Sequence, residues 1–383
     1  MSRVVLQLAL VAVLVALASG DASAYPQFQL SRDQTCTGCH ISPAGGGLLT
    51  ENGMAVAEAT SQYGTSPEFM YGALKPNDAF AFGGDFRGMG GYLQTPQQYL
   101  LAFPMQADLY GNAHYKAFSL HVTLGYRPKA YANDPNPSPF SRLSNTLWSR
   151  EHYAMWQSDE GSPTGLFVRV GRFMPVFGLR LAEHPVYTRR FGGTPLYGET
   201  YGVAVEYVHE KYEGHVTGFI KDPLIDPVQH ADGAAAYGEY RVTSTASVGA
   251  EAMVEVSTDD KKFRGGVTGK YFMTKLDLLF QGELQVVDQR VNGPSGGGAP
   301  VQLVGYAMAS KFFSKALLLD LGFGHYDENI RIKDLDRDCI DLNLHWFTTS
   351  HFEAILNGRA EFLALGKGGP TGAYVFLQAH YRL

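Results

Sequence analysis

Phe118-Ser119-Leu120-His121-Val122-Thr123-Leu124-Gly125-Tyr126 is the stretch that decides the fold. Phe118, Leu120, Val122, Leu124 and Tyr126 share one parity; Ser119, His121, Thr123 and Gly125 share the other. Successive side chains of a strand point to opposite faces, so this period of two predicts one apolar and one polar face. The split recurs from about residue 79 onward. Leu276, Leu278, Phe280, Gly282, Leu284 and Val286 stand against Asp277, Gln281, Glu283 and Gln285. Ile340, Leu342, Leu344 and Trp346 stand against Asp341, Asn343 and His345, and Ala246, Val248, Ala250, Ala252 and Val254 against Glu251 and Glu255. The run from Val301 to Phe313 alternates poorly.

Alternation fits a water-soluble sandwich as well, so the connections arbitrate. Those after odd strands are long: 127–146, 174–195, 221–232, 288–300 and 326–336. Those after even strands are mostly tight, as at Met273-Thr274-Lys275, Ser314-Lys315 and Thr348 to His351. Long loops on one rim, short turns on the other and an even strand count predict an all-β fold, a transmembrane antiparallel β-barrel of about 16 strands. A soluble barrel of about eight strands leaves half the chain unexplained. A Gly count of 44, 13% aromatics and 18% charged residues suit strands better than helices. The last parity set, Val375, Leu377, Ala379, Tyr381 and Leu383, runs to the carboxyl end like the targeting strand of outer-membrane barrels, although those usually finish in Phe or Trp. Tyr126, Trp148, Trp156, Phe173, Tyr207, Tyr271 and Trp346 lie near strand ends and are candidates for interfacial girdles.

About sixteen strands predict an aqueous lumen rather than a filled core. Charges on the inward parity include Asp85, Arg169, Glu206, Lys270, Asp320 and Asp341. Acids outnumber bases across the full inward set, which implies a weak preference for cations in an open lumen; a self-compensating hydrogen-bonded lining is the alternative. Arg172 to Phe191, with Arg180, His184, Arg189 and Arg190, reads either as an inward constriction or as a surface loop. A formal net charge of -6 with no basic stripe excludes a nucleic-acid partner.

Ahead of the barrel, Arg3, the apolar run Val4 to Leu17 and the small residues Ala22-Ser23-Ala24 make residues 1–24 a secretory signal peptide. No later apolar run is long enough for a spanning helix. Residues 25–76 hold Cys36-Thr37-Gly38-Cys39-His40, and residues 77–383 are the barrel. A Cys-x-x-Cys-His run is the attachment pattern for a c-type haem: two thiols three positions apart close thioether bonds on one porphyrin, and the adjoining His binds iron. A structural zinc site wants a second pair of ligands at close spacing, and the one other cysteine, Cys339, is far away. A redox-active CxxC wants a thioredoxin-like βαβ context. A plain Cys36–Cys39 disulfide stays open. Fewer than about sixty residues cannot build a whole cytochrome core, so a haem pocket there must borrow walls from the barrel.

This layout resembles the fused outer-membrane cytochrome-porins, single-haem proteins of iron-oxidising bacteria and their wider relatives. The resemblance rests on the signal peptide, the CxxCH near the mature N-terminus, Pro43, Leu49, Thr50 and Gly53 about ten residues on, and a porin-like barrel to the end. Gly45-Gly46-Gly47 and Met54 depart from the iron-oxidase pattern. The resemblance implies a mono-haem cytochrome c-like segment on the periplasmic side or in the lumen, with one haem c, Cys36 and Cys39 as the thioether residues and His40 as proximal ligand. It further implies an outer-membrane electron-transfer protein rather than a conventional enzyme, working between a periplasmic electron carrier and an extracellular redox partner or metal ion. Extracellular metal oxidation is the one catalytic activity in that range. Met54 is the nearest sulfur for a sixth ligand and Met70 the next, with His121 and His345 on the inward parity. A diffusion porin with a haem plug, or a soluble periplasmic haem-binding β-protein, are the alternatives.

Overall fold

The period-two runs become sixteen strands. They are β1 (Phe80–Gln94), β2 (Gln98–Tyr115), β3 (Phe118–Tyr126), β4 (Leu147–Gln157), β5 (Gly165–Phe173), β6 (Thr200–Val208), β7 (Tyr212–Phe219) and β8 (Asp232–Thr243). The second half comprises β9 (Ala246–Val256), β10 (Asp260–Met273), β11 (Leu278–Val291), β12 (Val301–Ser314), β13 (Leu317–Asp327), β14 (Asp336–Thr349), β15 (Phe352–Leu363) and β16 (Gly372–Arg382). The structure, a computed structural model, describes residues 28–31, 34–74, 77–126, 147–183, 185–223, 231–291, 299–364 and 368–383. Residues 1–24, read above as a signal peptide, the connection 127–146 and His184 lie outside the described residues. Each strand pairs antiparallel with its sequence neighbours, and β1 pairs with β16 from Asp85↔Arg382 to Gln94↔Ala373, closing the barrel without an edge.

The exposure pattern shows which solvent the wall expects. In β3, Phe118, Leu120 and Leu124 are 62%, 60% and 55% exposed, while His121 and Thr123 between them are buried. Leu284 and Val286 of β11 likewise face out, and Gln281, Glu283 and Gln285 face in. Apolar outside and polar inside is the reverse of a water-soluble sandwich and fits hydrocarbon. Some local expectations shift. Asp277 sits in the turn before β11 with φ +50° and is not a lumen residue. Phe173 is fully buried rather than a girdle residue, because the Arg169 guanidinium lies 4.3 Å from its ring centroid inside the lumen. Two connections after odd strands, 95–97 and 257–259, are tight, and the connection 158–164 after β4 is longer than a tight turn.

The segment after β5, with its short helix α4 (Tyr187–Arg190), folds inward and buries its apolar side chains against the inner wall. Leu179, Leu181 and Val186 cluster with Tyr306 and Met308 of β12. This contact explains why Val301 to Phe313 alternates poorly: the inner face of β12 meets an apolar segment rather than water. Tyr187 packs with Val287, Val304, Tyr326 and Cys339. Polar anchors hold the segment as well. The Leu179 N–H donates to Glu283 Oε2 at 3.1 Å, and Arg359 Nη1 donates to Pro185 O at 2.7 Å. Gly178 has φ +65°, and a Cβ there would stand 2.1 Å from Glu283 Oε1. Only glycine serves that position.

Candidate functional site

The CTGCH motif forms a short helix, α2 (Cys36–Cys39), preceded by α1 (Phe28–Ser31) and followed by α3 (Glu51–Thr60). Thr35 Oγ1 caps α2 by accepting from the Gly38 N–H at 3.1 Å. Thr50 joins the two helices. Its Oγ1 accepts from the Gly53 N–H at 3.1 Å and donates to Gly38 O at 2.7 Å, while its own N–H donates to Cys39 O at 3.0 Å. Asn52 Nδ2 donates to Gly38 O at 3.1 Å and lies 3.6 Å from Cys39 Sγ. The spacing Thr50-x-x-Gly53 therefore holds the motif's carbonyl end. A Cβ on Gly53 would fall 2.1 Å from Cys39 O. Gly53→Val is expected to lift α3 off α2 at a cost of about 1–3 kcal/mol, read as faster proteolysis of the N-terminal segment with the barrel core left protected.

The lumen wall grips this segment. Lys270 Nζ donates to Gln29 Oε1 at 2.7 Å and to Glu239 at 2.6 Å, Arg241 donates to Gln34 O, and Thr37 Oγ1 donates to Pro163 O. Arg180 of the inward segment donates to Pro43 O at 3.2 Å and pairs with Glu213, tying loop, wall and N-terminal segment together. Further on, the Gln62 and Tyr63 N–H groups donate to Phe347 O and Thr348 O at 2.9 and 3.1 Å. The Ser350 N–H donates to Thr65 Oγ1 at 3.1 Å. Pro163, Phe347, Thr348 and Ser350 all belong to the short-turn rim, where β1 begins and β16 ends.

Cys36, Cys39, His40 and Met54 line one cavity of about 770 Å³, whose other walls include Phe177 and Arg180 from the inward segment and Tyr110 from β2. That volume is of cofactor size. All three cysteines are free. Burial pushes the Cys36 thiol up to about 11 against the Arg180 charge, and burial raises Cys39 despite the Asn52 contact. Redox-active CxxC thiols shift the other way, which speaks against that alternative. Burial lowers His40 to about 4, with the Gly46 backbone opposing, so its ring stays neutral and able to ligate through the range where free histidine titrates. Its Nδ1 is buried and finds no hydrogen-bond partner among the described residues. Two thiols and a neutral imidazole on one cofactor-sized cavity fit a c-type haem.

Of the sixth-ligand candidates, only Met54 is brought to this cavity. Met70 is 43% exposed, with φ +50°. His121 stacks on Tyr153 at 4.5 Å and lies 2.9 Å from Ser119 Oγ, and His345 is held between Asp320 and Glu353. Asn52 and Phe177 escaped sequence reasoning. Asn52 had a signal in its place between Thr50 and Gly53; Phe177 had none, since its segment read equally well as a surface loop.

No known family model matches the sequence, and no curated protein does. The fold does have counterparts. The Salmonella typhi OmpF complex with Daunomycin superimposes with a TM-score of 0.61 at 11% identity, over 81% of this chain and 99% of that one. In-vitro folded OmpT, an outer membrane protein of Vibrio cholerae, gives 0.57 at 14% identity, covering 81% and 100%. The outer membrane channel DcaP of Acinetobacter baumannii gives 0.54 at 12%, covering 81% and 99%. The chain has a porin-like fold, and about a fifth of it lies beyond the match.

Proposed function

We propose that this porin-like barrel lies in the bacterial outer membrane, carries one c-type haem on Cys36, Cys39 and His40, and passes electrons between a periplasmic carrier and an extracellular redox partner or metal ion. The observation that carries this reading is the shared cavity: both thiols, His40 and Met54 face one space walled by the barrel and its inward segment. Neighbours described as outer membrane proteins and channels support the location. When bound, haem supplies one-electron redox chemistry at its iron. Cys36 and Cys39 would fix it through thioether bonds, His40 would ligate the iron, and Met54, which lines the cavity together with Met174, would offer a thioether sulfur for the sixth position. Phe177 gives the cavity an apolar wall, while Thr50 and Asn52 tie the motif to the helix that follows it. An apolar band about 25 Å tall is too thick for one fast electron step through lipid; a redox group inside the lumen shortens the path.

A diffusion porin with a haem plug is the second reading, favoured by the porin-like fold. One experiment separates the two. The purified chain, placed in vesicles enclosing a soluble reduced carrier, meets a membrane-impermeant oxidant outside. Electron transfer would give oxidation of the trapped carrier that disappears in Cys36→Ala/Cys39→Ala. Carrier oxidation no faster than with the variant, together with rapid solute uptake by both proteins, would leave the porin reading standing.

A further inference from the structure

A second group of convergent side chains lies away from the CTGCH motif. Glu183 of the inward segment, Asp320 of β13 and His345 of β14 offer ligand atoms that all lie within 4.8 Å of one another. Asp320 is 0% exposed, and neither of its carboxylate oxygens accepts a hydrogen bond among the described residues. A buried carboxylate in that state is costly unless a cation faces it. Among the described residues the group facing it is His345, whose Nε2 stands 3.1 Å from Asp320 Oδ2. That ring is also fixed from behind, because Nδ1 lies 2.8 Å from Glu353 Oε1. A carboxylate behind one imidazole nitrogen while the other meets further carboxylates is the outer-sphere pattern of metal-bound histidine.

Glu353 is itself held. Its Oε2 lies 3.1 Å from His380 Nδ1, whose Nε2 lies 2.5 Å from Asp85 Oδ1, and Tyr110 donates to Asp85 Oδ2 at 2.7 Å. The orienting chain thus crosses six neighbouring strands, from β13 around the closure to β2. Glu183 comes from the inward segment instead, and burial raises its carboxyl, with the Asp320 charge adding to the effect and His345 opposing it.

We propose that Glu183, Asp320 and His345 form a binding site for one first-row divalent metal ion in the lumen. Two carboxylate oxygens and one imidazole nitrogen suit Mn²⁺, Fe²⁺, Co²⁺ or Zn²⁺, and the set lacks the thiolate or thioether that softer ions select. The ion offsets the Asp320 charge and ties the inward segment to the wall across β13 and β14. The site stands without the haem and uses none of the residues assigned to it.

The test uses Co²⁺ and the full mature chain in detergent, with Cys36 and Cys39 replaced by Ala so that thiolates cannot compete. Calorimetry and the visible Co²⁺ absorption are expected to show saturable binding of one ion per chain. Glu183→Gln, on the inward segment rather than the barrel, weakens it at least about tenfold, and so does Asp320→Asn. Asp334→Asn, in the connection between β13 and β14, leaves it unchanged. Absence of saturable binding overturns the site, and so does binding that Glu183→Gln and Asp320→Asn both leave intact. If Asp320→Asn does not fold, Glu183→Gln decides alone.

Discussion

Replacing Cys36 and Cys39 with alanine is expected to abolish covalent haem completely while the barrel still inserts and folds. The loss follows from chemistry: thioether bonds need both sulfurs, and the one other thiol, Cys339, is buried beside Tyr187 and Gly324, away from the cavity lining. Survival of the barrel follows from topology. All sixteen strands pair with one another through β1–β16, so the ladder closes without the N-terminal segment, whose Gln62 and Tyr63 N–H groups meet the rim end of β14. Among the described residues, the hydrogen-bond contact of these sulfurs is to Asn52 Nδ2, 3.6 Å from Cys39 Sγ, which alanine removes without touching the strand ladder. Haem staining and a reduced-minus-oxidised spectrum of outer-membrane fractions read the first part, and heat-modifiable gel migration reads the second. A c-type signal that persists in the variant would sink the assignment of the motif, and a wild-type barrel that inserts with no haem at all would remove the electron-transfer reading.

The second large effect concerns the wall. Arg169→Ala is expected to destabilise the folded barrel by about 3–5 kcal/mol, because it leaves a buried carboxylate without its main partner. Arg169 Nε and Nη2 donate to Glu206 Oε2 and Oε1 at 2.7 and 2.8 Å, and both side chains are no more than 1% exposed. After the change Glu206 keeps, among the described residues, His215 Nδ1 at 3.0 Å. The guanidinium also lies 5.3 Å from the Tyr153 ring centroid and 4.3 Å from that of Phe173, so packing in the cluster of Tyr153, Met155, Phe167 and Phe173 is lost with the charge. Urea unfolding in detergent, followed by tryptophan fluorescence, measures the change. Two companions give it meaning. Arg290→Ala removes a pair with Asp288 whose arginine is 66% exposed and should stay within about 1 kcal/mol of wild type. Arg169→Met/Glu206→Leu should recover much of the loss, since an apolar pair leaves no uncompensated charge. A single Arg169→Ala barrel as stable as wild type would show that water reaches Glu206.

The parts of the molecule legible without coordinates were those written in local order. The alternation of Phe118 to Tyr126 predicted a strand with an apolar outer face because side-chain direction in a strand depends only on sequence parity. Connection lengths then predicted a closed barrel of about sixteen strands, and sixteen close here. The CTGCH motif is equally local, since the two thiols and the imidazole are neighbours in any conformation; that Thr50 and Gly53 hold it came from the structure.

Contacts between residues distant in the chain were decided only by the tertiary structure. Sequence left Arg172 to Phe191 between an inward constriction and a surface loop, because a loop's direction depends on what receives it. Leu179, Leu181 and Val186 turn inward because β12 presents Tyr306 and Met308 to them. His345 carried the parity of a lumen residue and so stood among the candidates for a sixth iron ligand. Closure of the barrel instead surrounds it with Asp320, Glu353 and Glu183, drawn from two neighbouring strands and the inward segment. Parity tells a side chain which face it occupies; only the register of sixteen strands and the path of one loop determine whom it meets there.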